Sequence, residues 1–174
     1  MTDDRLMELL DKQAIVEVLY RYARGWDRRD EETLRSCFHQ DAEHAHGSFQ
    51  GLSQDFITYG LGSTTEVMSM THIITNPLIE VRGAKALSEC SFLAHHRTRA
   101  ASGGGEEDRF LKGRYLDVFE KRADVWRIAR RLGLHDFERV GPAADRSLAG
   151  APPEQLSHRK PADPLYTLLE SFDR

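Results

Sequence analysis

The period of the hydrophobic pattern changes once along this chain, and that change restricts the folds that it can adopt. From about Asp4 to Gly25, apolar residues recur at helical spacing and form one buried stripe. The members of this stripe are Ile15, Val18, Leu19, Tyr22 and Trp26. From about residue 67 to residue 137 the pattern is that of strands, and Ala86 to Arg99 alternates between two faces. Helices followed by consecutive hairpins predict an α+β fold.

Caps, turns and breaks divide the rest of the chain. Two further helices are expected at 30–38 and 53–60, with a short strand at 42–47 between them. The expected long strands cover 67–81, broken at Asn76-Pro77, then 86–99, 110–121 and 125–137. A flexible loop with three glycines is expected at 102–107. We predict one domain over residues 1–140 and an extended tail over 141–174 that ends in a short apolar segment, 165–172.

Composition excludes several classes of partner. The chain has 24 Lys and Arg against 28 Asp and Glu, interleaved, whereas binding to nucleic acid needs a basic face. No apolar run is long enough to span a bilayer, and the first residues lack the character of a signal peptide. The two cysteines, Cys37 and Cys90, have no framework spacing and are predicted to be reduced core thiols. A cytoplasmic protein that binds neither nucleic acid nor membrane is expected.

Asp27 and His72 are the residues best suited to acid–base chemistry. Asp27 lies at the end of the first helix and His72 lies just before the break in the first long strand. An imidazole oriented by a carboxylate can take a proton from carbon near neutral pH. Spacing alone also allows a simpler interpretation, in which Asp27 caps the helix and His72 is a core histidine.

Other side chains are candidates for binding a substrate in a pocket between the helices and the sheet. Tyr22 could donate a hydrogen bond to a developing oxyanion, or it could be a core aromatic. His96 could hold a substrate oxygen. One of Arg130 and Arg131 could balance substrate charge, although a surface salt bridge is the simpler use of either. The expected pocket lining also includes Trp26, Phe92, Tyr115, Met68 and Met70.

The motif His44-Ala-His46 places two imidazoles on one face of a strand, a spacing that zinc sites use. No third ligand stands at a usual spacing, so no metal is predicted. The glycines of 102–107 are not followed by the Lys-Ser/Thr of a P-loop, and the chain has no Gly-x-Ser-x-Gly motif. Phosphate-binding loops and nucleophilic serines therefore have no support.

The order of helix, short helix, strand, helix and long hairpins resembles the NTF2-like superfamily and, within it, the SnoaL-like group. The resemblance covers about Leu6 to Val140, and Ala-Asp-Pro-Leu-Tyr-Thr-Leu-Leu, beginning at Ala162, is similar to tails of that group. It implies a cone in which a curved, mostly antiparallel sheet carries three N-terminal helices on its concave face. It also implies a homodimer or homotrimer built on the exposed sheet face, with no cofactor.

The same resemblance assigns roles. Asp27 and His72 look like the Asp and His of scytalone dehydratases, hexachlorocyclohexane dehydrochlorinases and bile-acid dehydratases. His96, Tyr22 and Arg131 fall near a second histidine, a tyrosine and an arginine of these enzymes. The implied function is a cofactor-independent lyase or isomerase, dehydratase-like or polyketide cyclase-like, that acts on a small, largely apolar cyclic or polyketide-like substrate.

Two other functions stay open at this point. The β subunits of ring-hydroxylating dioxygenases share the fold and serve as scaffold, so a non-catalytic ligand-binding or scaffold protein is the alternative. A scaffold has no need for the pair Asp27 and His72. An isomerase similar to ketosteroid isomerase would need a second acid in the pocket, and none is evident in the sequence.

Overall fold

The computed structural model describes residues 2–100, 105–144 and 150–172. The helices are α1 (Thr2–Arg28), α2 (Glu31–Ser36), α3 (Ser53–Ser63) and α4 (Pro164–Phe172), with a short 3-10 helix at Pro153–Gln155. The strands are β1 (Phe38–His46), β2 (Phe49–Leu52), β3 (Val67–Arg82), β4 (Lys85–Arg99), β5 (Glu106–Arg122) and β6 (Val125–Pro142).

The strands form one curved sheet of six, in the order β2-β1-β6-β5-β4-β3. All neighbours pair antiparallel except β1 and β6, which run parallel. Helix α1 packs mainly against β3, and α3 packs against β1. This arrangement is an α+β fold of the NTF2-like type, as the sequence predicted.

The buried stripe of α1 explains why this helix lies on the sheet. Its predicted members Ile15, Val18, Leu19, Tyr22 and Trp26 are all at most 6% exposed. Helix α2 starts where the carboxylate of Asp30 accepts a hydrogen bond from the backbone N–H of Thr33, at 3.3 Å. The β5–β6 hairpin turns at Ala123 and Asp124, which both have positive φ, as a two-residue turn of type I′ requires.

The elements differ from the sequence prediction mainly at their ends. Helix α1 continues to Arg28, Phe38 begins β1 rather than ending α2, and β2 was not predicted. Strand β3 is continuous, because a register shift between Thr75 and Leu78 takes up Asn76-Pro77 as a bulge. Of the predicted loop 102–107, residues 102–104 lie outside the described residues, while residues 106 and 107 already belong to β5. The tail beyond 140 includes the end of β6, and the boundary at residue 140 stays a prediction.

The outer face of the sheet is apolar and exposed. It carries Ile73, Leu93, Phe110 and Phe137, each between 45% and 54% exposed. The predicted homodimer or homotrimer would cover such a face, and it stays a prediction. In the described part of the chain, no helix is long and apolar enough to cross a membrane.

Candidate active site

A cavity of about 280 Å³ lies between the inner face of the sheet and helices α1 and α3. Aromatic rings and four histidines, His46, His72, His96 and His135, make up most of its wall. Among the described residues, no Asp, Glu, Lys or Arg lines it. The cavity is therefore suited to a neutral molecule that presents both apolar surface and hydrogen-bonding oxygens.

His72 and Asp27 meet at the edge of this cavity. The Nδ1 atom of His72 lies 2.7 Å from Oδ1 of Asp27, and the backbone N–H of His72 donates to Oδ2 at 3.1 Å. Their side chains are 11% and 13% exposed. With Asp27 ionised, Nδ1 carries the proton and Nε2 is left as a free acceptor. Asp27 thus holds a neighbouring strand rather than capping its own helix.

His96 lies beside His72 with a ring-centroid separation of 5.5 Å. Its Nε2 atom is buried and has no hydrogen-bond partner in the described part of the structure. Burial, together with the charges of His72, Arg109 and His95, lowers the pKa of His96 to about 4. His96 is therefore a neutral imidazole near pH 7, able to exchange a hydrogen bond with a substrate oxygen. His95 points away from the cavity, as predicted, and contacts Asp108 at 2.7 Å.

The predicted aromatic lining is present. Tyr22, Trp26, Phe92 and Tyr115 all line the cavity and are at most 6% exposed. Phe92 stacks on Tyr115 with centroids 4.5 Å apart, and Tyr22 meets Tyr115 edge to face at 5.7 Å. These contacts hold the walls in one arrangement, which is what a preorganised binding site needs.

The sequence model of the SnoaL-like domain family matches residues 7–132 of this chain. The chain belongs to the SnoaL-like domain family. The matched region contains Asp27, His72 and His96, and it ends just beyond Arg131. A search of the curated proteins found no match.

Solved structures extend the likeness of this SnoaL-like protein. A scytalone dehydratase candidate from Novosphingobium aromaticivorans is 25% identical over 84% of this chain and 95% of that chain, with a TM-score of 0.66. A type 2 hexachlorocyclohexane dehydrochlorinase, LinA, is 19% identical over 84% and 99%, with a TM-score of 0.73. An aromatic ring hydroxylase candidate from Novosphingobium aromaticivorans is 17% identical over 78% and 94%, with a TM-score of 0.63. The dehydrochlorinase and the hydroxylase candidate, at 19% and 17% identity, show a similar fold and no more than that.

Two residues of this SnoaL-like protein do not lie where the sequence analysis expected them. Arg131 is not on the surface: its side chain and that of Asp117 are both 0% exposed, and they form two hydrogen bonds of 2.6 and 2.7 Å. The guanidinium lies beneath the cavity wall, so it cannot meet substrate charge directly. Met68 is 47% exposed and does not line the cavity, because a register shift between Val67 and Ser69 turns it outward, whereas Met70 does line it.

His135 was not predicted from the sequence to belong to the site, and His46 was a candidate only for metal binding. Both line the cavity, and their Nε2 atoms are 3.1 Å apart. Within the described ranges, no group of three or more His, Cys, Asp or Glu could hold a metal ion. The alternation of a strand places His135 on the same face as Arg131, four residues earlier, so the sequence did link His135 to one of the candidate binding residues.

A larger cavity, of about 440 Å³, lies on the outer face of the sheet and includes Ile73, Leu93, His95 and Phe110. Its lining also includes Thr71 and Arg139, although the surface that it exposes is mostly apolar. His95 contacts Asp108 through Nε2, but Asp108 also accepts hydrogen bonds from Arg97 at 2.7 and 3.0 Å, so its charge is already compensated and it is less able than Asp27 to stabilise an imidazolium. The inner cavity is the better candidate for an active site, despite its smaller volume.

His44, behind the inner cavity, leads to a prediction about stability and pH. It is 1% exposed and stacks on Phe56, with centroids 3.9 Å apart, and neither ring nitrogen has a hydrogen-bond partner among the residues described. Burial, together with the charges of Arg131 and His46, lowers its pKa to about 2. A histidine in the unfolded state has a pKa near 6.5, so below that pH His44 binds a proton in the unfolded state but not in the folded state. The free energy of unfolding therefore decreases as the pH falls below about 6.5.

His44→Phe should therefore flatten the loss of stability in acid. We expect the variant to avoid up to about 1.4 kcal/mol of destabilisation for each pH unit below about 6.5. Urea unfolding at pH 7 and pH 5 measures this, with His95→Phe on the outer face as control. Equal pH dependence in wild type and His44→Phe would contradict the prediction.

Proposed function

We propose that this protein is a cofactor-independent lyase or isomerase that takes a proton from carbon and drives an elimination, most simply a dehydration. The observation that carries the proposal is the 2.7 Å contact between His72 Nδ1 and Asp27 Oδ1 at the edge of the cavity. That contact leaves His72 Nε2 as a base. The carboxylate stabilises the imidazolium that forms when the base has accepted a proton.

The proposed step needs few groups. His72 Nε2 accepts a proton from a carbon next to a carbonyl, and the electron pair of that C–H bond forms a C=C bond. The bond to the leaving oxygen on the adjacent carbon breaks, and its electron pair stays on the oxygen. His96, neutral and without a partner among the described residues, is placed 5.5 Å from the His72 ring to donate a hydrogen bond to a substrate oxygen.

The proposed substrate is a small, neutral, cyclic carbonyl compound. The wall of the 280 Å³ cavity combines Tyr22, Trp26, Phe92 and Tyr115 with histidines and lacks charged side chains among the described residues. A carboxylate would lose its hydration there without gaining an ion pair, which is costly. The names of two related structures, a scytalone dehydratase candidate and a hexachlorocyclohexane dehydrochlorinase, support elimination on cyclic molecules.

The experiment uses 4-(4-nitrophenoxy)butan-2-one, a neutral ketone that releases coloured 4-nitrophenolate when a proton leaves C3. We expect catalysed release that slows when C3 carries deuterium, because the C–H bond breaks in the step. Neutral 2-tetralone should compete at least about tenfold better than 2-naphthoate, which has a similar size but carries a charge. If wild type releases 4-nitrophenolate no faster than the His72→Ala variant does, the proposed function is contradicted. That result would favour the ligand-binding or scaffold alternative.

A further inference from the structure

The cavity of this protein holds a second pair of imidazoles, on strands other than the one that carries His72. The Nε2 atoms of His46 and His135 are 3.1 Å apart, and their rings meet edge to face with centroids at 4.6 Å. A separation of this size between two imidazole nitrogens is a hydrogen bond. One nitrogen must donate and the other accept, so a single proton lies between the rings.

The fold makes this contact specific. His46 is on β1 and His135 on the neighbouring β6, where His46 pairs with Gly133. A Cβ atom at position 133 would collide with the His46 ring, so glycine lets the ring lie against the strand. The Nδ1 atom of His46 is buried there without a partner in the described structure, which leaves Nε2 as its usable nitrogen.

The pair joins the cavity to solvent. His46 is half-buried, whereas His135 is exposed, and both line the cavity. Strands β5 and β4 separate His135 on β6 from His72 on β3, so the pair and His72 lie on different strands of the cavity wall. A proton can therefore enter from water through His135 while the base works on another strand.

The surroundings decide which ring carries an added proton. Burial, together with the nearby charges of His135, Arg131 and His72, lowers the pKa of His46 to about 3. The other groups packed on His46 are His44 from β1, Phe56 from α3, Phe92 from β4 and Tyr115 from β5, and no carboxylate is among these ring contacts. The charge of a protonated pair therefore resides on His135, in contact with water.

We propose that His46 and His135 form the general acid of the site, which protonates the leaving oxygen while His72 removes the carbon-bound proton. This inference rests on the proposed function. In the step, the C–O bond breaks and its electron pair takes the extra proton from His135 of the protonated pair, giving water or an alcohol and a neutral pair that keeps the proton between the two Nε2 atoms. His72 leaves the step as imidazolium and returns its proton to solvent, and His135 takes up a new proton from water.

The test compares two leaving groups. 4-Phenoxybutan-2-one releases phenol, a poor leaving group that needs a proton, whereas the 4-nitrophenoxy compound releases a stable anion. In His135→Ala we expect release of phenol to fall by about 10²-fold and release of 4-nitrophenolate to fall by less than about threefold. With the phenoxy ketone, we expect wild type to lose rate at alkaline pH, and this loss should be weaker in the variant. Because His135 is exposed, the variant should fold, and His95→Ala is the matched control.

A second variant separates an acid from a mere support. His46→Phe keeps an aromatic ring against Gly133 but has no nitrogen, and it should show the same dependence on the leaving group. If either variant releases phenol and 4-nitrophenolate with equally reduced rates, or with unchanged rates, the inference is overturned. Such a result would not contradict the role of His72 as the base. Full activity in His72→Ala overturns the proposed function instead, so the two failures are distinguishable.

Discussion

We expect the replacement of His72 by alanine to lower the release of 4-nitrophenolate by about 10²–10⁴-fold, the range that one general base contributes. The side chain is 11% exposed at the cavity edge, so its removal opens space without exposing the core. The measurement is kcat/KM for 4-(4-nitrophenoxy)butan-2-one, with circular dichroism and thermal unfolding to confirm that the fold is retained. Asp27→Asn should lower the rate as well, because an amide does not stabilise the imidazolium as a carboxylate does.

The chain offers a matched control on the opposite face of the same sheet. His95 and Asp108 form a second imidazole–carboxylate contact, also of 2.7 Å, next to the outer cavity. His95→Ala should leave the rate within about twofold of wild type, because this ring reaches no part of the inner cavity. A His72→Ala variant that is as active as His95→Ala would end the proposal of a His72 base.

Arg131→Ala should be the most destabilising single change at this site, with a loss of about 3–5 kcal/mol in the free energy of unfolding. Burial alone would lower the pKa of Arg131, but Asp117, at 2.6 Å, holds it well above its ordinary range, so the guanidinium is charged. Its removal leaves the Asp117 carboxylate buried without a counter-charge. The guanidinium also lies 4.0 Å from the Tyr22 ring and 4.1 Å from the Tyr115 ring, so both cavity walls lose a contact.

The neighbouring arginine is the control. Arg130 is 68% exposed and lies 3.7 Å from Glu43, so Arg130→Ala should change stability by less than about 0.5 kcal/mol. The double variant Arg131→Met with Asp117→Leu should recover much of the loss, because no charge then remains buried. Urea unfolding of the three variants measures this, and equal losses in Arg130→Ala and Arg131→Ala would refute the assigned burial.

The sequence predicts the parts of this fold that depend on local period. The stripe of α1 and the alternation of β4 are local patterns, and both elements formed as expected. The break predicted at Asn76-Pro77 interrupts the pairing with β4 as a bulge but does not end the strand, because pairing resumes at Leu78.

The site shows the same division. The contact between Asp27 and His72 could be anticipated from the resemblance to the SnoaL-like group, because spacing alone also allowed a helix cap and a core histidine. Arg131 could not be placed, since alternation shows that Arg130 and Arg131 point to opposite faces without showing which face is buried. The pairing of Arg131 with Asp117 across β5 and β6 decides that, and it is a property of register.

The parallel pairing of β1 with β6 bears on how the protein is made. His46 and His135, which close one side of the cavity, are 89 residues apart in sequence. Contacts of such long range form late, since the chain between them must be ordered first. On the ribosome, helix α1 and strands β3 to β5 can begin to associate while β1 still has an unpaired edge. Because β6 contributes His135 to the cavity wall, a nascent chain cannot form the complete cavity until β6 has been synthesised.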